Sequence, residues 1–132
     1  MSIKPSDFYD FARDLHSGKD DKGEACHRTV AGRFYYAAFL AIREVVRTNT
    51  ADPAYDFKHT QLAGTLTADA DPDVREMGQR VDALRKLRSK SDYRTASTVS
   101  KMEVSLREAD VKAVLRTLPT IQAKIPKPPR KA

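Results

Sequence analysis

The run "FYYAAFLAI" (34–42) lies in the middle of a segment, Glu24 to Arg47, that reads as one long helix. Around positions 34–42 apolar side chains fall on nearly every side of that helix, so no polar face is left to meet water. A helix of this kind is the central, most buried element of a domain. It is also too short in its apolar part to span a bilayer. With 132 residues the chain suffices for one compact domain with a real core and not for two ordinary ones. Five glycines, no tryptophan and few β-branched runs argue against an all-β fold.

Amphipathic segments lie on either side. "SDFYDFARDLH" (6–16) places Phe8, Phe11, Ala12 and Leu15 at helical spacing, with Ser6 as the expected N-cap. "SGKDDKG" (17–23) is a turn, "TNTADPAYDF" (48–57) a loop, and "KHTQLAGTL" (58–66) a short helix. A further helix starts clearly: Asp71 can cap it, Pro72 suits the first turn, and Asp73 complements the dipole. Val74, Met77, Val81, Leu84 and Leu87 form its stripe. After the hydroxyl-rich connector "YRTASTVS" (93–100), Ser100 and Glu103 form a capping box for a last helix. The expected inner face of that helix is Leu106, Ala109, Val114, Leu115, Leu118 and Ile121. The expected fold is all-α, an up-and-down bundle of four main helices plus one short helix. It occupies 1–122 and is followed by a disordered Pro/Lys/Arg-rich tail, 123–132.

Charge is concentrated. The net charge is +6; the tail holds Lys124, Lys127, Arg130 and Lys131 and no acid, and the window 84–94 holds five bases against Asp92. Each carries +4, which leaves −2 for the remainder. That pattern favours a local anion site over general stickiness. One cysteine, Cys26, allows no internal disulfide, and the N-terminus lacks the long apolar core of a signal peptide. A cytoplasmic protein that binds no membrane is expected.

Most familiar chemistries have no motif here. His16, Cys26, His27 and His59 lack metal-ligand spacing, the glycines are scattered rather than grouped in a phosphate loop, and nothing resembles a nucleophilic triad. No metal and no cofactor is expected. What remains is a basic constellation. Arg85, Arg88 and Asp92 fall close together on one helix, flanked by Lys86, Lys90 and Arg94, with the lysines expected to be largely solvated. Arg33, Tyr36, Leu40, Arg43 and Arg47 form a second line on the central helix. An arginine at 33 within so apolar a helix is costly unless its guanidinium finds a partner, and Asp92 is one candidate. Arg33, Tyr36, Arg85, Arg88 and Lys90 are therefore the candidate contacts for RNA or another anion.

Two segments taken together carry a family resemblance. "AGRFYYAAFLAIREVV" (31–46), followed about forty residues later by "LRKLRSKSDYR" (84–94), resembles the small bacterial HEPN domains, and "FKHTQLAGTL" (57–66) resembles their short intervening helix. The resemblance covers about residues 6–121 and implies a helical bundle that pairs as a homodimer with a cleft between protomers. It also implies a setting among endoribonucleases, toxin–antitoxin and phage-defence systems, or inactive RNA- and nucleotide-binding relatives, with a protein partner from the same operon. Active members carry Arg-x4-6-His, the histidine taking the 2′-hydroxyl proton and the arginine stabilising the charged transition state. Here Arg88 matches the arginine, but Tyr93 stands where the histidine is expected. A phenol is a poor base at neutral pH, and Asp92 lies among positive charges that weaken it as a proton acceptor. Three readings follow: binding of RNA, a nucleotide or a partner protein without cleavage; a metal-independent endoribonuclease using Arg88 with Asp92, Tyr93 or His59; or a purely structural assembly module.

Overall fold

A computed structural model describes residues 4–17, 23–50 and 59–125, leaving aside the side chains of 49, 50, 59 and 60. Five α-helices appear in chain order: α1 (Pro5–Ser17), α2 (Gly23–Thr50), α3 (His59–Thr67), α4 (Pro72–Tyr93) and α5 (Lys101–Ile121), the last running into a 3-10 turn, Gln122–Lys124. Among the described residues there is no strand, so the fold is an all-α bundle. Most of the turn expected over 17–23, most of the loop over 48–57 and the tail from 126 lie outside the described residues.

Helix α2 is the axis. Val30, Phe34, Ala37, Ala38 and Ile42 are fully buried, and α1, α4 and α5 pack around them. Its start falls at Gly23, whose φ of +77° is a left-handed value that favours glycine. Helix α4 begins as its sequence indicates: the Asp71 carboxylate accepts from the amides of Asp73 and Val74, with Pro72 in the first turn. Its stripe of Val74, Met77, Val81, Leu84 and Leu87 is buried. Ser100 caps α5 by accepting from the Glu103 amide at 3.1 Å, but the Glu103 carboxylate turns to Lys90 instead of closing the capping box.

Two helices are rotated from expectation. In α1 the buried side chains are Tyr9, Ala12 and His16, while Phe8 and Leu15 lie at the edge and Phe11 is 60% exposed. Tyr9 and His16 both pack on Phe34, and His16 also bonds Ser105 of α5 at 2.8 Å. A count of purely apolar residues misses this stripe because its members are amphipathic. The N-terminal turn is also held differently: the Asp7 carboxylate accepts from the Lys4 amide, ahead of Ser6. In α5 the inner face is Val104, Val111, Val114, Leu118 and Ile121, and Leu106 and Ala109 are exposed. The chain stays in the core as far as Ile125, beyond the expected boundary at 122. No helix among the described residues is long and apolar enough to cross a membrane.

Candidate functional site

The second half of α4 carries the basic window, and its pitch sorts the bases onto different flanks. Arg88 points toward α2: its guanidinium lies over the buried Tyr35 ring, 5.6 Å from the centroid, and its Nε pairs with Asp92 Oδ2 at 2.9 Å. The i, i+4 spacing makes that pair local to one turn. Both side chains are about one third exposed, at 33% and 39%. Apart from Asp92, Arg88 has no hydrogen-bond or ion-pair partner among the described residues. A guanidinium so placed and partly exposed has the two-pronged geometry that fits a phosphate or carboxylate.

Arg85 sits one turn earlier and is spent differently. Its Nε and Nη2 both donate to Asp82 Oδ1, at 3.3 and 2.9 Å, while Lys86 takes Asp82 Oδ2 at 3.0 Å. Burial works against the charge of Asp82, but Lys86 and Arg85 outweigh it and hold that carboxyl below its ordinary range. Burial raises the Tyr35 phenol, and the neighbouring Arg88 and Arg85 pull it partly back.

Lys90 belongs to the other flank. It faces α5, where its Nζ lies 2.9 and 3.1 Å from the Glu103 carboxylate. Arg33 is exposed rather than buried, and its partner is the Phe8 ring of α1, 6.0 Å from the centroid, instead of Asp92. Tyr36 meets the same ring edge-on at 5.4 Å and is 36% exposed. The candidates therefore form two groups on the two seams of α2: Arg33 and Tyr36 around Phe8, and Arg85, Arg88 and Asp92 around Tyr35. Consecutive residues on a helix point about 100° apart, which is why Tyr35 and Tyr36 serve different seams. Tyr93 ends α4 with 72% of its surface exposed. His59 opens α3, and its side chain lies outside the described residues. Cys26 is partly buried against the core. Among the described residues no three His, Cys, Asp or Glu side chains gather closely enough to hold a metal ion.

Arg28 is a residue the sequence reading passes over. Its Nη1 donates to the carbonyls of Ser91 and Lys90 at 2.7 and 3.2 Å, and its Nη2 donates to Arg94 at 3.3 Å and to Ser97. Glu24, one turn back, accepts from Arg28 Nη2 at 2.8 Å and from the Val99 amide at 3.0 Å. The Val99 amide first, and Arg28 second, hold the Glu24 carboxyl below its usual value. This clasp caps the open carbonyls at the end of α4 and holds the 94–99 connector against α2. It thereby sets where Asp92 and Tyr93 stand. The i, i+4 pair Glu24–Arg28 is visible in sequence, but it looks like any surface helix pair.

A family model described as HEPN domain matches residues 12–121. Among curated proteins, the uncharacterized protein MJ0628 of Methanocaldococcus jannaschii is 33% identical over 109 residues, which covers 72% of this chain and 66% of that relative. The uncharacterized protein MJ0992 of the same organism is 26% identical over 137 residues, covering 92% of this chain and 77% of the relative. The chain thus spans just under two thirds of the first and about three quarters of the second. No solved structure matches closely enough to count as a relative.

Proposed function

The chain belongs to the HEPN domain family, and from that premise we propose that it is a homodimer that binds RNA or a nucleotide through Arg88 without cutting it. Family membership supports a nucleotide- or RNA-related role in general terms. The specific reading rests on one observation: Arg88 is held by Asp92 at Nε and by the Tyr35 ring, while a third of its side chain stays exposed. An arginine so tethered loses little freedom when a phosphate arrives, and a bidentate contact follows without breaking the Asp92 pair. Arg85 is the secondary contact, because it must first leave Asp82. Arg33 and Tyr36 on the other seam, with the exposed Phe11 nearby in α1, supply apolar and cationic surface for a second copy. A toxin–antitoxin or phage-defence setting, with a protein partner, belongs to the same proposal.

A second reading, metal-independent RNA cleavage, is favoured only by the exposure of Tyr93 beside the Arg88–Asp92 pair. A third makes Arg88 a lock between α4 and α2. One experiment separates them: a short fluorescent RNA in EDTA with the protein and its Arg88→Ala variant, followed by anisotropy and by gel, beside the thermal melt of each. Binding weakened about tenfold or more by the substitution, with intact RNA throughout, is the expected result. Cleavage by the unmutated protein alone establishes the second reading. A lowered melt with no RNA binding by either protein establishes the third.

A further inference from the structure

The outward face of α5 has a chemistry unlike the rest of the bundle. Met102 and Leu106 are 70% and 56% exposed, the largest apolar side chains that this helix leaves in water. Ala109 is exposed one turn on. The spacing of 102, 106 and 109 is the four-and-three alternation by which one helix seams against another. Beside Leu106 a groove of about 260 Å³ opens between α4 and α5, floored by Ala83 and Leu87. It is large enough for one apolar side chain of a partner.

The charges around this stripe are predominantly basic. The exposed charged residues of α5 are Lys101, Lys112 and Arg116, and Lys86 stands across the groove. The acids of α5 are already paired: Glu103, which also lines the groove, with Lys90, and Asp110 with Arg80 and Arg107. Glu108, 3.9 Å from Lys112, is 19% exposed. We propose that this face docks an amphipathic helix of a partner protein whose apolar stripe is bordered by Asp and Glu. A second copy of the chain fits this face less well, since two-fold pairing would set Lys101, Lys112 and Arg116 against themselves. The basic tail is excluded for the same reason. An apolar stripe with a side-chain-sized groove is the wrong shape for a phosphate backbone. The inference makes no use of Arg88 and stands or falls apart from the RNA-binding reading.

The test uses the full chain and a synthetic helical peptide with leucine at the first and fourth positions of each heptad and glutamate on the flanks. A peptide of the same leucine pattern with lysine flanks is the control. Titrations of the native protein and of the Leu106→Glu and Met102→Ser variants are read by peptide fluorescence anisotropy. Both changes lie at exposed positions, so the thermal melts should match. The acidic peptide is expected to bind more tightly than the lysine peptide, to weaken about tenfold in Leu106→Glu, and to weaken as salt is raised. Equal binding of the two peptides, or no binding of either, overturns the proposal. So does an acidic-peptide affinity unmoved by both variants. Anionic phospholipid vesicles and RNA are run alongside, and capture of either one, rather than the peptide, in a Leu106-dependent way also overturns it.

Discussion

Arg28 spends its guanidinium on backbone oxygens at one joint, and 17% of its side chain remains accessible. Removing it strands those carbonyls where water enters poorly, so Arg28→Ala should cost about 2–4 kcal/mol in urea unfolding. Lysine at 28 cannot bridge both rows of carbonyls and should recover less than half of that. A loss below about 0.5 kcal/mol would show that solvent replaces the clasp. His16 makes a second prediction. Burial holds its imidazole below the usual range, with Glu108 pulling weakly the other way. The unfolded chain therefore binds a proton at this residue before the folded one does. Its contribution is present above the unfolded value of about 6.5 and is lost as pH falls through the folded value. The unfolding midpoint should drop between about pH 7.5 and 5.5, and His16→Gln should flatten that drop; an unchanged slope would contradict it. Neither role was legible in the sequence. Histidine and tyrosine on α1 read as polar positions, and Arg28 as a surface residue, because pattern counts register neither a ring packed against Phe34 nor an acceptor sixty residues away.

At the scale of elements, the contact between α3 and α4 turns on Gly78. A Cβ there would stand 2.6 Å from the Thr67 amide nitrogen and 2.8 Å from Leu66 Cβ, with backbone on the far side that cannot swing away. Helix α3 seats Leu62, Ala63 and Leu66 on α4 through this close approach. Gly78→Ala should therefore cost about 1–3 kcal/mol despite alanine's better helix propensity. Hydrogen exchange should speed up over α3 first, and a neutral or stabilising result would mean that α3 shifts freely. Ser100→Ala tests the start of α5: losing a single cap should cost about 1 kcal/mol. Because Glu103 is engaged by Lys90, Glu103→Ala should disturb the α4–α5 contact more than the cap itself. The starts of α4 and α5 were readable because capping is local chemistry written in four consecutive residues. The rotation of α1 and α5 was not, since both have apolar residues on two faces and only packing against α2 selects one.

Over the whole molecule, exposed cationic and apolar side chains fall in separate places. The seams of α2 carry Arg33, Tyr36 and Arg88, and the outer side of α5 carries an apolar strip edged with bases. Self-association through the α1–α2 side should give a light-scattering mass near twice 14.8 kDa, and Phe11→Glu should return it to the monomer with its melt intact. A strict monomer at all concentrations would overturn the proposed homodimer. The all-α bundle and its central helix were evident from the apolar run 34–42, because a helix greasy on every side leaves few architectures open. The partition of bases was not, since a window holding Arg85, Arg88 and Lys90 looks like one patch until helical pitch turns each to a different neighbour. That the joint at 90–99 is tied to the first turns of α2 has a further consequence. Glu24, His27 and Arg28 all hold the connector, His27 through the Val99 carbonyl at 3.3 Å. Any ligand that tightens or displaces Tyr93 must strain this belt, so the amides of residues 25–31 become remote reporters of occupancy at Arg88, readable by exchange rates with no label placed near the ligand.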